Sequence, residues 1–165
     1  MKRMCILLLL CTGIISCATT GVTPPKTQLQ IREFQTRSFE TNNVKMIMKA
    51  MLNVLQDDGF IVKNANVDLG LITATKEIDV ESKGEAFLSA LLVGKDARWK
   101  KNSIIECSGN ISEFGKLARV RVNFQMKVMN NKGEVVDVKQ IEDLKYYQKF
   151  FSKVDKGIFI EKEKL

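Results

Sequence analysis

Hydrophobic and polar residues alternate without interruption along residues 118–128. Six apolar side chains, Phe124 among them, occupy every second position, and Arg119 and Arg121 are two of the polar residues between them. A period of two predicts a long antiparallel strand with one buried face and one face in water. Residues 104–114 precede this strand across a turn at Gly115, and residues 134–139 follow it after a turn ending at Gly133. We therefore expect a three-stranded meander.

The part of the chain before residue 80 predicts a strand, a helix and two more strands. The predicted strands cover residues 29–39, with Leu29, Ile31, Phe34 and Phe39 turned inward, residues 60–62 and residues 69–80, with a turn over residues 64–68. Between the first two, apolar residues recur at helical spacing over residues 44–55. That run follows capping residues at 41–43 and ends near Gly59, which suits a left-handed C-cap.

The last element predicted is a helix over residues 141–156. Its apolar stripe consists of Leu144, Tyr147, Phe151 and Val154, and the charged residues 161–164 are expected to fray. The pattern as a whole predicts an α+β fold. We expect a single antiparallel sheet (strand, helix, strand, strand, then the three-stranded meander) with the helices packed on one face.

One predicted helix has too much apolar surface for a single buried stripe. It follows a capping box at Ser82 and Glu85, runs over residues 86–93, and is followed by a basic segment with the single tryptophan. The candidate contact surface consists of Phe87, Leu91, Leu92, Arg98, Trp99, Lys100 and Lys101. Such a segment is typical of a contact with a protein partner or a membrane. The alternative is a core helix held between the sheet and another helix, with Trp99 covering the core.

The first sixteen residues have the pattern of an export signal. Lys2 and Arg3 precede an almost entirely apolar run over residues 4–15, which is too short to span a bilayer. The next residues, Ile14-Ile15-Ser16-Cys17, resemble the lipobox of bacterial lipoproteins, in which a small residue precedes an invariant cysteine. The resemblance implies that signal peptidase II cuts before Cys17 and that Cys17 carries the acyl chains that anchor the protein to a membrane.

The resemblance also implies a location and a domain organisation. Ala18 stands where an aspartate marks inner-membrane retention, so we expect an outer-membrane lipoprotein facing the periplasm. The expected organisation is a signal peptide over residues 1–16, the lipidated Cys17 with a proline-bearing tether to residue 28, and one globular domain over residues 29–165. The element order of the mature domain (strand, helix, two strands, meander, helix) is similar to that of small envelope lipoproteins that accompany outer-membrane assembly complexes.

Charge and residue usage exclude several classes of function. Loss of residues 1–16 removes Lys2 and Arg3 and lowers the net charge from +7 to +5, and export makes nucleic acid an unsuitable partner. The chain has no histidine and no phosphate-binding glycine motif, so we expect no catalytic residues, no metal site and no cofactor. Cys107 would be the only thiol free of lipid in the mature chain. Its alternation with Ile105 and Ile111 predicts that it is buried.

These observations predict an outer-membrane-anchored lipoprotein that is not an enzyme. Its role would be structural or accessory, through binding another component of the envelope, and the envelope protein it binds is not identified by the sequence. The alternative is a periplasm-facing carrier that holds a lipid or another apolar ligand. A carrier would need an internal apolar cavity of roughly 300 Å³ or more between the sheet and the helices.

Overall fold

A computed structural model describes residues 26–79, 102–129 and 133–163 of the chain. Within these residues the elements are α1 (Gln28–Phe34), β1 (Thr36–Phe39), α2 (Val44–Asp57), β2 (Ile61–Asn66), β3 (Leu71–Asp79), β4 (Asn102–Phe114), β5 (Leu117–Met129), β6 (Val135–Gln140) and α3 (Leu144–Glu163). No helix in these three ranges is both long enough and apolar enough to cross a membrane.

The six strands form one antiparallel sheet, with the order β1-β5-β4-β3-β2. β6 also pairs with β5, on the same edge as β1, so that β1 and β6 lie end to end along one strand. The helices cover one face of the sheet, where α2 packs against α3 and contacts β4. The predicted α+β fold with a single antiparallel sheet is therefore confirmed.

β5 has the alternation that its sequence predicts. Every second side chain from Ala118 to Val128 is buried, and the positions between them are exposed or half-buried. β4 pairs with β5 along its whole length, from Asn102 opposite Met129 to Phe114 opposite Leu117. The predicted meander of β4, β5 and β6 is confirmed, and it forms the centre of the fold.

The prediction of a strand over residues 29–39 is wrong in its first half, which is the helix α1. Thr27 caps this helix: its side-chain oxygen accepts a hydrogen bond from the backbone of Gln30, and the Gln30 side chain accepts one from the backbone of Thr27. Ile31 is buried and Phe34 half-buried, but Leu29 is 78% exposed. Ile31 and Phe34 are three residues apart, a spacing that places two side chains on one side of a helix but on opposite faces of a strand.

The turn between β2 and β3 lies later in the chain than predicted. It covers residues 67–70, and residues 64–66 belong to β2 instead. Asn66 accepts a hydrogen bond from the backbone of Leu69, and Gly70 has a φ of +62°. A β-carbon at Gly70 would collide with the carbonyl oxygen of Ile111 in β4, so only glycine can end the turn at this point.

α2 begins at its predicted N-cap, Asn43, and is followed by Gly59 with a φ of +80°. The sequence places Asp57 and Asp58 at the C-terminal end of this helix, where carboxylates oppose the helix dipole. In the fold, Lys153 of α3 forms an ion pair with the Asp58 carboxylate, and Lys76 donates a hydrogen bond of 2.9 Å to the Asp58 carbonyl oxygen. These two lysines offset the unfavourable charge.

α3 is longer than predicted and does not fray at residue 161. It extends to Glu163, because Ile158 is buried and Glu161 forms a 2.7 Å ion pair with Lys49 of α2. Three residues of the predicted stripe are buried, but Leu144 is 43% exposed. Leu144 is the first residue of the helix.

A buried polar cluster closes the junction where β1 and β6 meet on the edge of β5. The Tyr147 hydroxyl donates to the carbonyl oxygen of Ile141 and accepts from the backbone N–H of Phe124 and from the Gln35 side chain. Burial raises the pKa of Tyr147 above its ordinary value. Neither β1 nor β6 pairs with β5 at residue 124, so the backbone N–H of Phe124 has no strand partner there. The Tyr147 side chain of α3 accepts its hydrogen bond instead.

Cys107 is buried, as the sequence predicts, and this burial raises the pKa of its thiol to about 12. The unfolded chain releases this proton at a pKa of about 8.5–9, so the thiol's contribution to stability is complete below that pH and is lost as the pH rises towards 12. We expect the wild type to lose more stability than Cys107→Ala between about pH 9 and pH 11, by roughly 1 kcal/mol per pH unit. Denaturant unfolding across this range, compared between the two proteins, measures the difference. Parallel curves would contradict it.

Candidate functional site

The described helices and strands leave the face of the sheet opposite the helices uncovered, and this face is polar across its central strands. Its side chains are those that alternate with the buried residues of β4 and β5. On these two strands they include Glu106, Ser108, Asn110, Ser112, Arg119, Arg121, Asn123, Gln125 and Lys127. We call this surface the open face. Successive side chains of a strand point to opposite faces of the sheet, so the polar residues at every second position lie together on the face away from the helices.

The open face has a recess of about 410 Å³ near the hairpin that joins β4 and β5. It is lined by Arg32, Thr36, Asn110, Ser112, Phe114, Arg119 and Arg121, and we call it the arginine recess. Strand register accounts for its composition. Arg121 lies between Thr36 of β1 and Asn110 of β4, and Arg119 is opposite Ser112. Arg32 joins them from α1, which immediately precedes β1.

Aromatic and polar contacts organise the side chains within the arginine recess. The guanidinium carbon of Arg119 lies 4.5 Å from the centre of the Phe114 ring, a cation–π contact. The Ser112 hydroxyl donates a 2.9 Å hydrogen bond to the side-chain oxygen of Asn110, so the Asn110 amide group remains available as a donor. Phe114 is 56% exposed at the mouth of the recess.

None of the three arginines in the recess has a carboxylate partner within the described ranges. On the opposite face, by contrast, Arg37 forms an ion pair with Asp155 of α3. The other ion pairs in the described part of the chain are formed by lysines. The arginine recess is therefore a concentration of positive charge that the described part of the domain does not neutralise.

Further along the open face, the charges are balanced. Glu106 accepts hydrogen bonds from Lys127 at 2.7 Å and from Gln125 at 3.0 Å. The hydrogen bond from Lys127 holds the pKa of Glu106 below its ordinary value, although partial burial acts in the opposite direction. Glu106 and Gln125 also line a second recess of about 290 Å³ that reaches Lys63 of β2. This half of the open face offers hydrogen bonds but little net charge.

A groove also lies at the surface where α1 meets α3 and the start of β1. Its volume is about 750 Å³, and its apolar side chains are Phe34, Leu144 and Phe151. Polar residues, including Gln30 and Gln148, form the remainder of its lining. Phe151 belongs to the core between the sheet and the helices, and Phe34 packs against that core, so the groove borders it at the surface.

The residues singled out by the sequence lie outside the described ranges. This holds for Cys17 and for all of the candidate contact surface: Phe87, Leu91, Leu92, Arg98, Trp99, Lys100 and Lys101. Their roles stay predictions. Within the described ranges, no three or more aspartate, glutamate, cysteine or histidine residues are grouped so that they could hold a metal ion.

Sequence reasoning missed the arginine recess. The alternation along β5 does place Arg119 and Arg121 on the face in water, but solvated arginines are ordinary on such a face. Two features distinguish these arginines from others on a solvated face. Arg32 of α1 lies in the same recess, and no carboxylate of the described residues pairs with the three arginines. Both features depend on the three-dimensional structure.

Neither a family model nor a curated protein matches the sequence. Among solved structures, the chain is similar to a TBP-like protein from Parabacteroides distasonis, with 13% identity and a TM-score of 0.40 over 74% of this chain and 90% of that chain. It is also similar to a DUF4468 family protein from Bacteroides ovatus, with 10% identity and a TM-score of 0.38 over 81% of this chain and 89% of that chain.

Proposed function

We propose that the protein is a lipid-anchored component of a bacterial envelope with a non-catalytic, accessory binding role. The anchor is the acylated Cys17, and the location is the periplasm-facing side of the outer membrane. The single observation that carries the binding role is the open face, a sheet surface that the helices leave uncovered and that contains the arginine recess. The expected partner is another envelope component, not a nucleic acid.

The packing beneath the sheet supports a binding protein over a carrier. Phe124 lies between the sheet and α3 with four aromatic rings around it. The ring centres of Phe60, Tyr146, Tyr147 and Phe150 are 5.9, 5.0, 5.6 and 5.3 Å from the Phe124 ring. Rings at these distances fill the space that an apolar ligand would occupy in a carrier.

The predicted contact surface would add a second binding element to the open face. Trp99 and Arg98 are the residue types that most often anchor protein interfaces, and Lys100 and Lys101 would favour an anionic neighbour. A contact surface of this kind is compatible with either a protein partner or the membrane to which Cys17 is attached.

Replacing Cys17 with alanine is expected to abolish acylation and block cleavage after Ser16. The reason is that the cysteine sulfur and, after cleavage, its amino group are the atoms that receive the acyl chains in lipoproteins. Metabolic labelling with a fatty-acid analogue, followed by membrane fractionation, measures the effect. Cys107→Ala is the matched control and should keep its label. Undiminished labelling of Cys17→Ala would show that the lipobox assignment is wrong.

Crosslinking in the native envelope tests the binding role. A binding protein gives one recurrent crosslinked species that survives stringent washing, and mass spectrometry identifies it. A carrier instead releases a bound apolar molecule on extraction with organic solvent. Recovery of such a molecule in equal amount to the protein, with no crosslinked species, would overturn the binding role in favour of the carrier.

A further inference from the structure

We propose that the arginine recess binds a phosphate group. The observation that carries this proposal is the convergence of Arg32, Arg119 and Arg121 on one recess without a carboxylate partner in the described part of the chain. The proposal deepens the binding role assigned to the open face, because it names the chemistry recognised at one part of that face. It does not depend on acylation of Cys17.

The recess supplies hydrogen-bond donors from three neighbouring strands. Arg121 has the Thr36 hydroxyl on one side and Asn110 on the other, and Arg119 has Ser112 opposite it. Because β1, β5 and β4 are held by backbone ladders, these side chains start from fixed positions on a rigid surface. A ligand in the recess therefore meets preorganised donors instead of a mobile loop.

The positive charge of the arginine recess favours an anionic ligand. Three guanidinium groups that share a recess repel one another, and an anion bound between them relieves the repulsion. At two other places in the described ranges a carboxylate of the protein performs that function, as Asp155 does for Arg37 and Glu106 does for Lys127. No carboxylate of the described residues does so in the arginine recess, and an anion from another molecule would take that place.

The number and type of donors favour phosphate over a carboxylate. One arginine matches a carboxylate through two parallel hydrogen bonds, whereas a phosphate presents several oxygen atoms that different arginines can share. The neutral donors at Thr36 and Asn110 can serve further oxygen atoms. The group that carries the phosphate would contact the exposed ring of Phe114 and the exposed side chain of Leu117. These two residues pair at the end of the hairpin.

The test uses the full chain in maltoside micelles, which contain no phosphate. Inorganic phosphate is titrated against chloride at equal ionic strength, and binding is followed by the side-chain nitrogen resonances of arginine and by the melting temperature. We expect saturable binding of phosphate that chloride does not reproduce. Arg119→Gln and Arg121→Gln should each weaken the binding by roughly 10-fold, because each removes a charge-assisted hydrogen bond.

Arg37→Gln is the matched control, since it removes the same charge from the helix-covered side and should bind phosphate as the wild type does. Doping the micelles with phosphatidylglycerol distinguishes the sources of phosphate. A response to the doped micelles that Arg119→Gln lacks identifies a lipid headgroup, and a response to free phosphate alone identifies a soluble ligand. No preference for phosphate over chloride, or an equal loss in Arg37→Gln, would overturn the proposal.

These outcomes are separable from those of the binding role itself. If crosslinking finds no envelope partner but phosphate still binds through Arg119 and Arg121, the recess is a small-ligand site and the partner assignment alone fails. If a partner is captured while phosphate does not bind, the recess assignment alone fails.

Discussion

Phe124→Ala is expected to lower the free energy of unfolding by about 3–5 kcal/mol, the largest loss from a single substitution that we predict for the sheet. Phe124 is 1% exposed, and its ring lies in edge-to-face contact with Tyr146, Tyr147 and Phe150. Alanine would leave a cavity that these rings cannot close, since each is held by its own backbone. Denaturant unfolding followed by circular dichroism measures the loss, which is a large share of a typical domain's stability.

Arg121→Ala is the control on the same strand, because its side chain lies on the open face and forms no ion pair within the described ranges. It should change the free energy of unfolding by less than about 0.5 kcal/mol. Equal losses for Phe124→Ala and Arg121→Ala would mean that the two faces of β5 are assigned wrongly.

Tyr147→Phe is expected to cost roughly 2–4 kcal/mol, although it removes a single oxygen atom. That hydroxyl is 3.0 Å from the carbonyl oxygen of Ile141 and 3.2 Å from the backbone nitrogen of Phe124. Without it, two buried backbone groups have no hydrogen-bond partner at the junction of β1 and β6. Hydrogen exchange of the Phe124 amide should also become faster.

Tyr146→Phe is the matched control at the neighbouring position. Its ring packs edge-to-face on Phe124, as that of Tyr147 does, but its hydroxyl makes no hydrogen bond within the described part of the chain. We expect a change below about 1 kcal/mol. A loss in Tyr146→Phe that matches Tyr147→Phe would show that the hydroxyl bridge at the junction contributes little.

The sequence predicts the central strands of the sheet because they have one buried face and one face in water. β5 alternates over residues 118–128, and this pattern fixes both its length and the side chains that face the helices. α2 is equally clear, since Ile47, Met48, Met51 and Leu55 recur at helical spacing and all are buried. In both elements local conformation and burial require the same pattern.

The predictions from the sequence are wrong where a segment fits more than one element, or where contacts between residues distant in the chain determine the local structure. Leu29, Ile31 and Phe39 fit the period of two of an extended chain, but the capping box at Thr27 and Gln30 begins a helix before β1. The turn after β2 is set by Gly70, whose close approach to Ile111 involves a strand 41 residues away. Neither feature can be found from periodicity alone.

The arginine recess could not be predicted from the sequence either, because its residues are distant in the chain and meet only in the folded protein. In the chain, β1, α2, β2, β3 and β4 lie between Arg32 and Arg121, and the pairing of Thr36 with Arg121 brings α1 and β5 close together. The sequence shows basic residues on a wet face, but the lack of neutralising carboxylates is a property of the folded surface.

We propose that the open face binds another envelope component, whereas the helices cover the opposite face of the sheet. Site-specific photocrosslinking in the native envelope tests it most directly, with the probe at Ser108 on the open face or at Asn53 on the exposed side of α2. We expect a recurrent crosslinked species from position 108 and none from position 53. Crosslinks from position 53 alone, or none from position 108 when the anchored protein is abundant, would contradict it.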